Sequence, residues 1–189
     1  MERSRKGDLE AFNLLVEAYQ GQVYALCVRM LGSREAGEDA AQDAFLSAFR
    51  GIGRYRGGSF RAWLLRIAAN ACYDALRRRQ RRPAGSLDAL LDDPDGPLTL
   101  TDPGETPEEH ALRRELAREL EAALADLPPE ERLAVLLCDV QGLAYHEIGQ
   151  ALGVPLGTVK SRIARGRARL RERLSSRPEL LRGLRRQEG

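Results

Sequence analysis

Apolar positions in this chain recur at intervals of three and four, so the pattern predicts helices. After Asp8, the residues Phe12, Leu15, Val16, Tyr19, Val23, Cys27 and Met30 form one stripe, which Gly32 ends. Ser33 is placed to cap a second helix to about Arg50, with Ala36, Ala40, Ala44, Phe45 and Ala48 at helical spacing. Residues 51–58, GIGRYRGG, read as a Gly-rich basic loop. Ser59 caps a third helix to about Arg82, striped by Phe60, Trp63, Leu64, Ile67, Ala71 and Ala75. The period is then lost over 83–106, a stretch dense in proline that reads as a flexible linker. A second helical group opens at Thr106, Pro107, Glu108 and Glu109, a capping box with proline at the first helical position. Leu112, Leu116, Leu120 and Leu124 share one face, Pro128 and Pro129 break that helix, and another runs over about 129–141 to Gly142.

Residues 144–174 have the pattern of a helix-turn-helix. A short helix, AYHEIGQAL, ends at Gly153, and Val154 and Pro155 complete the turn. A longer helix follows from about Leu156 to Leu174. Ile148, Leu152, Val159 and Ile163 supply the apolar contact between the two, and glycine at 153 permits the positive φ of a tight turn. The expected fold is all-α: two small helical domains joined by a flexible acidic linker, the second containing the helix-turn-helix. The domains are 1–82, the linker 83–106, the second domain 107–174, and a basic tail 175–189.

Charge sharpens this picture. The net charge of +2 hides four blocks: +6 over 1–82, −8 over 83–109, −4 over 110–156 and +8 over 157–189. Two basic blocks around an acidic one suggest two separate contacts with a polyanion. The basic residues are nearly all arginine, with Lys6 and Lys160 the only lysines. Arginine pairs with phosphates and guanine edges in bidentate fashion, although a GC-rich genome gives the same bias. A mean hydropathy of −0.42 and the lack of a long apolar run predict a soluble cytoplasmic chain without membrane insertion. Cys27, Cys72 and Cys138 form no C-x-x-C pair and read as buried reduced thiols.

An α-helix fits the major groove, and the first turns of a recognition helix reach base edges. Thr158, Lys160, Ser161, Ala164 and Arg165 fall on or near that leading face; Arg167, Arg169 and Arg171 lie farther along, where phosphates pass. In the first domain, Tyr55, Arg56, Ser59, Phe60 and Trp63 mix aromatics with cations at a loop–helix junction, a pattern suited to unpaired bases. Such aromatics are also ordinary core residues, and the arginine run 77–82 could be a solvated helix end. No metal or cofactor is expected. His146 and Glu147 begin a zinc-protease motif, but Gln150 replaces its second histidine. GIGRYRG does not match G-x-G-x-x-G, and there is no Walker A sequence. Glu35, Glu38, Asp39 and Asp43 form an acidic helical cluster that a magnesium-dependent nuclease could use.

A basic helical unit, a loose linker and a C-terminal helix-turn-helix together resemble the extracytoplasmic-function sigma factors of bacterial RNA polymerase. Residues 7–82 resemble their second conserved region. GEDAAQDAFLSAFR (37–50) looks like the polymerase-docking helix, and FRAWLLRIAANACYDALRRRQRR (60–82) like the promoter-reading helix. Residues 126–174 resemble the fourth region, most specifically at VPLGTVKSRIARGRARL. Two departures stand out: Ala41, where the family has a larger aliphatic residue, and Asp43 for the commoner Glu.

The resemblance implies a role for each group. Asp39, Gln42, Asp43 and Phe45 would dock on the clamp helices of core polymerase, and the second domain on its flap. Tyr55, Arg56, Ser59, Phe60, Asn70, Arg77 and Arg78 would capture the unpaired minus-ten element. Thr158, Lys160, Ser161, Arg162, Ala164, Arg165 and Arg167 would read the minus-thirty-five duplex. An anti-sigma factor would mask these surfaces, and the acidic linker would thread the polymerase channel for nascent RNA. An opened base-pair step forfeits about 1.4 kcal/mol of stacking. A trapped base returns about 1–3 kcal/mol. The factor alone would therefore start melting, and polymerase would hold the bubble. The rival reading is a helix-turn-helix regulator that is not a sigma factor.

Overall fold

The structure, a computed structural model, describes residues 2–5, 7–81 and 106–175. Every regular element among them is helical. The order is α1 (Glu2–Arg5), α2 (Leu9–Leu31), α3 (Arg34–Gly51), a 3₁₀ turn (Ile52–Arg54), α4 (Phe60–Arg81), α5 (Pro107–Ala125), α6 (Pro129–Val135), α7 (Tyr145–Leu152) and α8 (Leu156–Ser175). Helix α6 widens into a π-helical turn over Leu136–Val140. The acidic linker expected over 83–106 lies, except for Thr106, outside the described residues, as does the tail beyond Ser175.

Short polar side chains fix the helix starts. The Ala11 amide donates to Asp8 Oδ1 at 3.0 Å, the Ala36 amide to Ser33 Oγ at 3.3 Å and the Ala62 amide to Ser59 Oγ at 3.2 Å. Each cap satisfies one orphan amide of a first turn. Helix α7 uses half of such an arrangement, with Glu147 accepting from the Ala144 amide at 2.9 Å. Gly32 and Gly153 end α2 and α7 in the left-handed region, at φ 64° and 66°.

Helices α2, α3 and α4 pack as a bundle around Val23, Leu26, Cys27, Met30, Leu64, Leu65, Ala68 and Cys72, all buried. Its third wall is small: Ala40, Ala44 and Ala48 of α3. Gly37 takes this furthest, because a Cβ there would lie 2.5 Å from Val28 Cγ2 and 2.8 Å from Val28 Cα. The cysteines, remote in sequence, partly converge. Cys27 and Cys72 meet inside the bundle as free thiols. The hydrogen-bonded neighbour thiol, and then burial, push Cys27 far above its ordinary range. Cys138 is only half-buried, not enclosed as the pattern suggested, because it sits in the π turn beside Asp139 and Arg167.

In the second group, Ile148 of α7 meets Val159 and Ile163 of α8, all three buried, as the apolar pattern predicts. Helix α6 lies behind α8, almost wholly buried from Glu131 to Val135. The two helices approach closely at Gly166, where a Cβ would stand 2.6 Å from Val135 Cγ2.

The two groups are also packed on each other, an arrangement that the linker pattern gave no reason to expect. Their buried residues form one continuous apolar cluster. Three polar side chains tie the seam. Arg132 of α6 donates from Nη1 to the Met30 carbonyl at 2.7 Å, and from Nη2 to the carbonyls of Ala125 and of Leu127 (3.1 Å). Arg61 of α4 donates from Nε to Gln22 Oε1 at 2.6 Å and from Nη2 to the Gln141 carbonyl. Gln141 Nε2 returns a bond to the Gln22 carbonyl at 3.2 Å.

Two glycines in helix interiors should respond oppositely to alanine. Gly37→Ala forces a Cβ against the Val28 backbone and should cost about 1–3 kcal/mol. Gly21→Ala, with nothing within 4 Å, should gain about 0.5–1 kcal/mol from helix propensity. Urea unfolding of both variants checks the signs. Arg132→Met strands buried carbonyls at about 1–3 kcal/mol each, only partly offset by removing a buried charge. The same titration should show a net loss.

Candidate nucleic-acid interface

Helix α8 divides cleanly at 3.6 residues per turn. Val159, Ile163 and Gly166 are buried, with Leu170 half-buried on the same side. Opposite them Lys160, Ala164, Arg165, Ala168 and Arg171 are exposed, with Ser161 half-buried. Of the residues expected to read duplex DNA, the structure thus brings Lys160, Ser161, Ala164 and Arg165 onto one outward face. Thr158 is half-buried on its flank, where its carbonyl accepts from Ser161 Oγ at 2.9 Å. Arg162 stands apart, since one residue beyond Ser161 the helix turns toward the first group. It is half-buried, and its charge reaches Tyr73 of α4. Burial raises the Tyr73 hydroxyl, Glu130 adds to that, and Arg162 opposes it.

Four arginines of α8 are held by acids of their own module. Arg167 forks onto Asp139, with Nε to Oδ2 at 3.0 Å and Nη2 to Oδ1 at 2.5 Å. The hydrogen bond from Arg167 lowers the Asp139 pKa, and the carboxylate in turn raises that of Arg167. Arg165 and Arg169 both reach Glu131, and Arg173 reaches Asp126 at 3.3 Å. None of these acids was singled out by sequence spacing. They lie outside the α8 segment and meet it only through the fold.

In the first group, Arg66, Asn70, Asp74, Arg77, Arg78 and Arg81 are exposed along one side of α4. Arg56 and Ser59 are exposed at its leading loop, where Gly57 and Gly58 take φ of 96° and 94°. The aromatics behave differently from a stacking platform. Tyr55 and Phe60 are each only 9% exposed. Their rings pack edge-on at 5.8 Å between centroids, with Tyr19 and Trp63 beside them. The Tyr55 hydroxyl donates to the Gly58 carbonyl at 2.6 Å. These rings shape the loop and turn no open face outward, because burying that much apolar surface outweighs exposing it. Trp63 is half-buried, so its outer edge remains open.

On α3, Asp39, Gln42 and Asp43 are exposed on one face, and Phe45 is half-buried against the core. Leu46, overlooked in the sequence because it breaks the polar pattern, is 50% exposed beside them. Asp43 lies 3.5 Å from Arg78 of α4, linking the two surfaces through an exposed ion pair. Among the described residues no group of three His, Cys, Asp or Glu side chains could hold a metal. No described helix is long and apolar enough to cross a membrane.

A helical bundle with an exposed basic side and a helix-turn-helix in one chain define a two-module helical protein of the kind that binds nucleic acid. Sigma-70 region 2 matches residues 15–82, and Sigma-70 region 4 matches residues 117–170. The chain is 42% identical to the ECF RNA polymerase sigma factor SigE of Mycolicibacterium smegmatis over 88% of its length, and spans 63% of that relative. It is 39% identical to the RNA polymerase sigma-H factor of Pseudomonas aeruginosa, covering 88% of each chain. Identity to ECF sigma factor SigW of Bacillus subtilis is 37%, over 90% of this chain and 92% of that one. Among solved structures, CnrH in complex with the cytosolic domain of CnrY aligns with a TM-score of 0.66 at 27% identity, over 93% of this chain and 95% of that one. RpoE in complex with the anti-sigma factor NepR, from Bartonella quintana, shares the fold with a TM-score of 0.70 at 23% identity, over 88% and 98%. The chain belongs to the extracytoplasmic-function sigma factors of the sigma-70 family.

The Asp139–Arg167 pair gives a pH signature. A carboxylate held below its ordinary range adds stability above its unfolded pKa and loses it as pH falls through the folded value. Asp139→Asn should therefore be less stable than the parent at pH 7, by no more than about 0.2–1 kcal/mol because the pair is exposed. The gap should close as pH falls below the ordinary carboxylate range, as followed by urea unfolding at stepped pH.

Proposed function

We propose that this chain joins core RNA polymerase, reads a duplex minus-thirty-five element with α8 and captures melted minus-ten DNA along α4. The outward face of α8 carries the reading: Lys160, Ser161 and Arg165 stand together on the second helix of a helix-turn-helix. Lys160 and Ser161, at the start of the helix, approach base edges first. Ala164 leaves room for a base methyl group, and Arg165 suits a guanine edge. Arg167 and Arg171, farther along, meet phosphates. Arg162 faces the first module and contributes only once the two modules separate.

On the first module, Arg56, Ser59, Asn70, Arg77 and Arg78 bind the unpaired strand, while Tyr55 and Phe60 hold the shape of the loop. The exposed face of α3, Asp39, Gln42, Asp43 and Leu46, docks on the polymerase clamp, with Phe45 supporting it from below. The second module docks on the flap. The work is differential binding of melted over paired DNA, without a chemical step or a cofactor, so the protein is not an enzyme. Promoter DNA and polymerase place it in the cytoplasm. One similar fold is the sigma factor RpoE in complex with an anti-sigma factor, and another, CnrH, is in complex with the cytosolic domain of CnrY, which supports an anti-sigma partner here.

Transcription in vitro with core polymerase and a promoter library tests this reading. A sigma factor lets core polymerase initiate without any other factor, whereas a regulator of the same fold needs a separate sigma factor. Arg165→Ala should weaken discrimination at one base pair of the upstream element by about 1–3 kcal/mol. Asp43→Lys should weaken polymerase capture while leaving the fold intact. Magnesium-dependent DNA cleavage by the purified chain would overturn the reading.

A further inference from the structure

The carboxylate of Glu131 is peculiar in its setting. It lies on α6, outside the helix-turn-helix, with a side chain only 9% exposed. Its Oε1 stands 3.1 Å from Arg165 Nε, and its Oε2 stands 3.1 Å from Arg169 Nε. These two arginines are one turn apart on α8. Their own side chains remain 60% and 58% exposed. The close approach at Gly166, whose Cβ position lies 3.4 Å from the Glu131 carbonyl oxygen, presses α8 onto α6 at this point. Neither contact is an aligned hydrogen bond, so the carboxylate holds both arginines as ion pairs, through charge and proximity.

An arginine held through Nε keeps both terminal amino groups free for another partner, and those are the groups that fork onto guanine O6 and N7. A buried carboxylate holding Nε thus restricts a long side chain before DNA arrives, so less rotamer entropy is lost on binding. It also cancels one positive charge beside the phosphates, which weakens attraction to any sequence. Both effects favour discrimination over bulk affinity.

We infer that Glu131 is a positioning residue for DNA readout: it sets the orientation of Arg165, and secondarily of Arg169, and thereby the base preference of α8. This rests on the reading of α8 as the promoter helix. The test uses the full chain with core polymerase, selected on duplexes randomised across the upstream element, with Glu131→Gln, Arg165→Ala and the double variant. Arg165→Ala should flatten preference at one base pair. Glu131→Gln should reduce preference at that same position about two- to tenfold, the cost of ordering a free arginine on binding. It should also steepen the salt dependence of binding to random DNA, by up to about 0.9 in log–log slope. The double variant should be no flatter there than Arg165→Ala alone.

If Arg165→Ala alters no position, the promoter-helix reading fails and this proposal falls with it. If Arg165→Ala flattens a position and Glu131→Gln does not, the role of Glu131 alone is overturned. A uniform loss across all sequences overturns it too, as the mark of a purely structural residue. Arginine Nε–H exchange in the unaltered chain, assigned with Arg165→Lys and Arg169→Lys, gives a check that needs no change at Glu131. Slower exchange at Arg165 than at Arg171 supports the clamp, and equal exchange overturns it.

Discussion

One guanidinium stands where the two halves of this protein meet. Arg132 leaves α6 and binds the Met30 carbonyl near the end of α2 and the Ala125 carbonyl at the end of α5. Carbonyls in the last turn of a helix have no partner in their own helix and carry the negative end of its dipole. A buried cation placed between two such ends satisfies both without a carboxylate. Burial lowers its pKa, and the nearby Asp126 partly restores it. This anchor joins α6 to α2 and α5, while α8 packs on α6 through the small residue Gly166 against Val135.

Arginine serves two purposes in this fold, and burial separates them. Arg132 and Arg61 each donate to a backbone carbonyl across the seam, of Met30 and of Gln141. Arg165, Arg167 and Arg169 lie on the surface, where acids of the same module hold them while much of each side chain stays open. A free arginine would bind DNA phosphates as strongly or more so, but would enter the groove with many rotamers to lose. An arginine already paired at Nε has less to lose, so sequence recognition gains relative to bulk attraction. The exposed ion pairs add little to stability for the same reason that they leave the guanidinium usable: water competes for them.

The aromatic cluster shows where composition misleads. Tyr55 and Phe60 lie among cations in a Gly-rich stretch, the pattern of a stacking surface, yet their rings close the bundle against Tyr19 and Trp63. The cations Arg56, Arg77 and Arg78 do remain outside. Local order distinguishes a polar from an apolar residue, but it does not tell a ring that packs inward from one that faces solvent. A loop has no fixed period from which to derive direction, whereas a helix has one. This is why the outward face of α8 was legible from spacing and the loop at 51–59 was not.

Helix starts at Asp8, Ser33 and Ser59, the stops at Gly32 and Gly153, the turn before α8 and the stripe of Val159 and Ile163 were all determined by the chain itself. Each is a contact within a few residues, which neighbouring side chains settle. The tertiary structure alone decided the meeting of Cys27 with Cys72, the capture of Met30 by Arg132, the turning of Arg162 toward α4, and the clamp of Glu131 on two arginines. These join residues from dozens to about a hundred positions apart. No periodicity encodes such partnerships, because they depend on the angle at which one finished helix lies against another.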